Sequence, residues 1–404
     1  MLETRVFLRY MVKKQKAKFK VVNREMRMNR RNLGTSNSRR GKTVDKSTME
    51  RMVRQNRARR KKRRKEKSIS LAAMMSKNVI ALATSLHGIG PLIQDGTFRK
   101  RVAEIEPPWH PPRGFSIVPI EMPNFSMELL MHQNEFFTEE ENLLNDSSSS
   151  ASLEQLKIDS SNVPEDTAER LLTENREVVL QLHGGGYIGK IKNAYRDFAV
   201  LYAKMPGERA VLSVDYRVAP EDPYPAALED AYAAYQWLLE MGCRGSQIIL
   251  AGDSAGGGLA LALCLYLKDK GEPLPKKLVL MSPWTDLAAT GDSYETNFEK
   301  DPLFGNTTDS MIYSNAYYGE NNPKTPYISP LYGDYEGLPP MLFQVGGAEM
   351  LLSDSARAAK KAKAAGCEVQ LTIYDEMFHV FQLGMKKMKE SREAWREVEE
   401  FLTI

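Results

Sequence analysis

Residues 247–269 read QIILAGDSAGGGLALALCLYLKD, and this order of apolar run, glycine-flanked turn and second apolar run decides the architecture. QIILA has the continuous hydrophobicity of a strand buried on both faces. Gly252-Asp253-Ser254-Ala255-Gly256 follows, and the Leu- and Ala-rich stretch after it predicts a buried helix over 255–270. So tight a passage from strand to helix needs small residues on both sides of Ser254. It lifts the hydroxyl above the sheet edge, beside a helix N-terminus whose amides favour negative charge. A glycine-rich turn that merely packs helix on sheet is the plain alternative. The strand before, the helix after and the continuation Gly256–Gly258 point instead to a nucleophilic serine.

Outward from this segment, apolar runs at 177–182, 209–214, 277–282, 341–345 and 368–374 alternate with helical patterns at 194–205, 226–240 and 353–365. The alternation predicts the α/β class, with a mainly parallel central sheet and helices on both faces. Upstream, FSIVPI (115–120) and FSMELLM (125–131) flank a turn with Pro123 and Asn124 and read as an antiparallel hairpin. Residues 132–175 are acidic and Ser-rich, as a surface loop or flexible insertion would be. Scattered apolar positions over 69–105 suit one or two amphipathic helices, ended by PPWHPP at 107–112. The long gap before 341–345 is rich in aromatic and turn residues and reads as part of a pocket wall.

A nucleophilic serine needs oxyanion donors, a base and an acid. His183-Gly184-Gly185-Gly186-Tyr187 directly follows the run EVVLQL. Three consecutive glycines are costly in conformational entropy. Bare amides that approach an oxyanion closely give them a purpose, so Gly184, Gly185 and Ala255 are the expected oxyanion donors. Of the five histidines, His183 precedes the nucleophile at a strand end and reads as a structural hydrogen-bonding residue. His379, in YDEMFHVF past the last strand, alone satisfies the chain order serine, acid, histidine. The acid must fall between the run MLFQV and His379. Glu349 lies in the loop just beyond that run; Asp354 sits where the next helix begins and reads as its N-cap. Glu349 is therefore preferred to Asp354, and Asp375 and Glu376 lie too near His379 in sequence.

HGGGY at 183–187, DYRVAPEDPYPAALED at 215–230, GDSAGGGLA at 252–260, SPWTDL at 282–287 and EMFHVF at 376–381 occur in one order. Together they resemble the hormone-sensitive-lipase-like family of α/β hydrolases, which includes bacterial esterases and arylacetamide-deacetylase-like enzymes. The resemblance covers residues 69–404. It implies the α/β-hydrolase fold, with Ser254 as nucleophile, His379 as base and Gly184, Gly185 and Ala255 as oxyanion donors. It also implies a helical cap from about 69–112 and 290–325. The family's acid is usually Asp, followed by a short Leu-containing run and a second Asp; this chain has Glu349 and Asp354 at those positions. In DYRVAPE, Asp215, Arg217 and Glu221 read as a buried polar network that holds a turn.

The formal net charge of +4 hides an asymmetry. Residues 1–67 hold 26 of the 56 Lys and Arg but 5 of the 52 Asp and Glu. Residues 68–404 thus carry 30 basic against 47 acidic side chains. The segment 1–68 reads as a basic, disordered extension ahead of a hydrolase domain at 69–404. Its run RARRKKRRKEK (57–67) suits nonspecific contact with nucleic acid or a membrane surface. An upstream stretch left untranslated, with Met74 or Met75 as start, is the other reading. Cys243, Cys264 and Cys367 are odd in number and far apart, which suits free thiols in a reducing compartment and argues against a structural zinc site. Ser68–Leu86 follows a basic run but is interrupted by Lys77 and Asn78, so neither a signal peptide nor a spanning helix is expected. The expectation is a cytoplasmic serine carboxylic-ester hydrolase for short-to-medium acyl esters, without metal or cofactor, with a homodimer left open. An amide or carbohydrate deacetylase on the same residues, and a non-catalytic binding module, are the alternatives.

Overall fold

The computed structural model describes residues 70–84, 99, 106–132, 158–159, 176–207, 209–307, 310–313 and 315–403. The basic segment 1–68 and nearly all of the Ser-rich insertion lie outside the described residues. Within 132–175 only His132, which ends a strand, and the pair Ile158–Asp159 are described, and that pair forms a short strand.

Nine strands form one sheet: β1 (Phe115–Glu121), β2 (Ser126–His132), β3 (Ile158–Asp159), β4 (Val178–Leu182), β5 (Ala210–Asp215), β6 (Ile248–Asp253), β7 (Lys277–Met281), β8 (Met341–Gly346) and β9 (Val369–Tyr374). Their spatial order is β3-β1-β2-β5-β4-β6-β7-β8-β9. The hairpin is antiparallel, Phe115 opposite His132, and β2 joins β5 antiparallel. From β5 to β9 every neighbouring pair is parallel. The expected runs therefore form strands within about two residues of their predicted bounds.

Side chains alternate across this sheet and divide the core in two. Leu180, Leu212, Leu250 and Leu278 face one side with α3 (Ala226–Glu240), α4 (Ser254–Lys270) and α6 (Leu352–Ala364). Val179, Val211, Ile249 and Val279 face the other side with α2 (Asn193–Ala203) and α7 (Lys389–Thr403). Coverage on both faces is why these strands are apolar throughout.

Of the two segments expected to form a helical cap, only the second differs from the expectation. Over 69–105 one helix is described, α1 (Leu71–Thr84); most of the rest lies outside the described residues. Over 290–325 the described residues hold one helix, α5 (Ser293–Thr296), and otherwise turns and bends. Asp301 explains part of this irregularity, because its carboxylate accepts the Leu303 and Phe304 amides and closes a local turn in place of a helix.

The DYRVAPE residues form separate contacts rather than one network. Arg217 grips buried Asp230 at 2.7 Å and reaches Glu229, Glu221 pairs with Arg99, and Asp215 accepts the Ile191 amide at 3.1 Å. Among the described residues no helix is long and apolar enough to cross a membrane.

Candidate active site

Parallel strands end along one edge, and the loops there receive helix N-termini and the residues that follow each strand. His183–Gly186 follows β4, Ser254 follows β6, Ser282 follows β7, Glu349 follows β8 and His379 follows β9. Residues scattered over almost two hundred positions are thereby brought to one crevice.

Ser254 takes φ +52°, a left-handed conformation disfavoured for a residue with a Cβ. Such a conformation persists only where the surroundings enforce it. Here a Cβ on Gly252 would collide with the Gly256 carbonyl, and one on Gly256 with the carbonyls of Leu182 and His183. The Trp284 amide donates to the Ser254 carbonyl at 2.8 Å and closes the bend from the far side. The elbow thus requires glycine at both flanks for space.

His379 Nε2 lies 2.8 Å from Ser254 Oγ, and its Nδ1 lies 2.6 Å from Glu349 Oε2. Glu349 is fully buried. Its other oxygen accepts from the Ser282 hydroxyl at 2.8 Å and from the Gly346 amide at 2.5 Å. Ser282 in turn accepts the Val380 amide at 3.2 Å, tying the loop of the acid to the loop of the histidine. Burial opposes charge on the His379 ring, but the Glu349 carboxylate, with smaller contributions from Asp301 and Asp253, more than offsets it, and the net shift of the imidazole is upward. Phe304 lies against the ring, with centroids 4.9 Å apart.

Asp354 is elsewhere. Its carboxylate accepts the amides of Thr285 and Asp286 at 2.9 and 2.8 Å and the Tyr294 hydroxyl at 3.0 Å. It is not the N-cap of α6, because the helix begins at Leu352 and the carboxylate points at the loop after β7. Burial, reinforced by nearby Asp286, pushes it well above the usual carboxylate range.

The glycine run departs from expectation at its first member. The Gly184 amide donates to Asp253 Oδ1 at 3.1 Å, so it is committed to a side chain and unavailable to an oxyanion. Among the described residues the amides of Gly185 and Gly186 donate to no acceptor. Gly186 is held by Asn315, whose side-chain amide donates to its carbonyl at 3.0 Å, and the Met311 side chain lies where its Cβ would be. Ala255 is in the first turn of α4, where a backbone amide has no partner inside the helix. Asp253 was not singled out from the sequence. Burial pushes its carboxyl up to about 7, against the opposing pull of His379 and the Gly184 amide. Its position beside Ser254 in GDSAG was the one signal available.

His183 stands apart from Ser254. Its Nδ1–H donates to the Gly184 carbonyl at 2.7 Å, and its ring stacks on Tyr216 at 4.2 Å. Burial lowers its pKa to about 4, so the ring is neutral at ordinary pH. It is a structural residue, as the sequence indicates.

A profile of the α/β-hydrolase fold family matches residues 179–383. An acetyl-hydrolase of Streptomyces hygroscopicus is 41% identical over 230 residues, covering 56% of this chain and 76% of the relative. An esterase of Acinetobacter venetianus is 37% identical over 227 residues, covering 56% and 75%. Among solved structures, an esterase from the bacterial hormone-sensitive lipase family aligns with TM-score 0.65 and 32% identity, covering 83% of this chain and 98% of that one. Sequence profile, relatives and strand order agree, and the chain belongs to the α/β-hydrolase fold family.

Proposed function

We propose that this protein hydrolyses carboxylic esters through an acyl-serine formed on Ser254, with His379 as general base and acid and Glu349 as the acid that orients the imidazole. The continuous relay of 2.8 and 2.6 Å from hydroxyl to imidazole to buried carboxylate carries the reading. The esterase and acetyl-hydrolase relatives support the same reaction class.

Ser254 Oγ attacks the carbonyl carbon as its proton passes to His379 Nε2. The tetrahedral oxyanion is received by the amides of Ala255, Gly185 and Gly186, Gly186 replacing Gly184. Each such donor contributes about 2–4 kcal/mol in the transition state. Collapse breaks the ester C–O bond, and His379 returns the proton to the departing alcohol. Water then attacks the acyl carbon, gives a proton to His379, and releases the carboxylic acid with the serine hydroxyl restored.

The substrates proposed are esters with short-to-medium acyl chains, since Phe304 and Met311 crowd His379 and Gly186. Ser254→Ala is expected to lower p-nitrophenyl butyrate hydrolysis by about 10⁴-fold or more while the circular dichroism spectrum is unchanged. Activity retained in that variant would exclude Ser254 as nucleophile.

A further inference from the structure

The His379 ring is gripped at both nitrogens, by Ser254 Oγ at 2.8 Å and Glu349 Oε2 at 2.6 Å. A ring held at two points can still swing about the line between them. Phe304 packs on it with centroids 4.9 Å apart and restricts that swing. Glu349 and Phe304 come from different segments, and Asp301 joins the two. Asp301 is buried, and its Oδ1 accepts the amides of Leu303 and Phe304 at 2.8 and 3.1 Å. Its Oδ2 accepts the amide of Met350, the residue after Glu349, at 2.7 Å. One oxygen thus fixes the turn that carries Phe304, and the other fixes the loop that carries Glu349. Neighbouring side chains lay the same stretch along that loop: Asn297 donates to the Glu349 carbonyl at 2.9 Å, and the Ser293 hydroxyl to the Met350 carbonyl at 2.5 Å. The turn alone needs no charge, since an asparagine closes such a turn with its one acceptor oxygen. A buried carboxylate is costly unless its oxygens are satisfied, and three amide donors on two sides require both of them.

We propose that Asp301 is a positioning residue for acyl transfer, which sets Phe304 against the His379 ring and, through the Met350 amide, holds the loop of Glu349. This role presupposes the serine mechanism proposed above. The Asp301 carboxylate also acts through its charge. Three carboxylates act on the His379 ring: Glu349 from the loop after β8, Asp301 from the segment after β7 and Asp253 from the end of β6. All three favour the imidazolium. Loss of the Asp301 charge therefore lowers the pKa of the imidazole. The acid limb of kcat/KM, which reports the neutral ring, then moves to lower pH even as the rate falls.

Asp301→Asn keeps the shape, removes the charge and turns an amide group toward backbone donors. In a pH series of p-nitrophenyl butyrate hydrolysis its kcat should fall about 10–100-fold with KM within about twofold of the parent. The acid limb should move down by about half a pH unit or more. A side chain that only supported a turn would lower the urea midpoint and leave both readouts of the folded protein unchanged. Phe304→Ala removes the ring contact without a change of charge. It should lower kcat about fivefold or more with no movement of the limb to lower pH, and Phe304→Leu, which restores bulk, should recover most of the loss. Combining Asp301→Asn with Phe304→Ala should cost less than the product of the two single losses, because one acts partly through the other. Parental kcat and acid limb in folded Asp301→Asn overturn the proposal. So does parental kcat in Phe304→Ala, which decides the matter where Asp301→Asn does not fold. Ser254→Ala keeps the two readings apart. Activity retained there overturns the serine mechanism and this role with it, whereas an inactive Ser254→Ala beside a parental Asp301→Asn overturns the positioning role alone.

Discussion

Glu349 illustrates how a single side chain is specified by its partners. One oxygen faces His379; the other is satisfied by Ser282 and Gly346, so the carboxylate has no free direction to turn. In the proposed mechanism His379 must be neutral to accept the serine proton, and its pKa is raised by Glu349. The acid limb of kcat/KM should therefore lie above the ordinary histidine value of about 6.5. Glu349→Gln removes the charge that favours the imidazolium. It should move that limb to lower pH and reduce kcat by about 10²–10⁴-fold, read from a pH series of initial rates. Asp354→Asn should behave differently. It weakens the acceptor for the Thr285 and Asp286 amides and should cost about 1–3 kcal/mol in urea unfolding, with the folded enzyme's pH profile unchanged. A shifted profile in Asp354→Asn, or none in Glu349→Gln, would exchange their roles. The preference for Glu349 was legible from its place after a strand. The task of Asp354 was not, because the loop it supports is about seventy residues away in sequence.

At the scale of elements, the strands and the helices between them were legible because burial on both faces leaves long apolar runs. Helix α7 was not anticipated, although its signal was present. Ala394, Trp395, Val398, Phe401 and Leu402 repeat at helical spacing amid charged residues and are all buried. Trp395 packs edge-on against Phe198 and Tyr202 of α2 and donates its indole N–H to the Gln382 carbonyl at 3.2 Å. It thus joins the layer under the sheet to the segment just after His379. Trp395→Ala should destabilise the fold by about 3–5 kcal/mol, measured by urea denaturation, through loss of burial and the cavity left behind. A change below about 1 kcal/mol would show that α7 contributes little to the core.

At the scale of the molecule, the three thiols of the described residues lie away from the proposed catalytic residues in sequence and take no part in their hydrogen bonds. Cys264 is fully buried in α4, and burial raises its thiol far above the ordinary range; Cys243 is pushed up to about 11. Cys367 is half-buried and its Sγ–H donates to the Tyr335 carbonyl at 3.0 Å. Since the thiolate is the reactive form, native protein at neutral pH should react with a thiol reagent first at Cys367, with all three cysteines reacting only after denaturation. Rapid native modification of Cys264 would show that α4 opens locally.

The chain by itself determined the strand-turn-helix that raises Ser254, the parallel sheet and the candidacy of His379, because each is written in neighbouring residues through apolar period, glycine spacing and chain order. Only the tertiary structure decided that the Gly184 amide is consumed by Asp253, that Ser282 links the loops of Glu349 and His379, and that Asp354 supports a distant turn. Those assignments depend on which donor meets which acceptor across strands far apart in sequence. A hydrogen bond is set by distances of a few ångströms in space, which no local pattern of residues encodes.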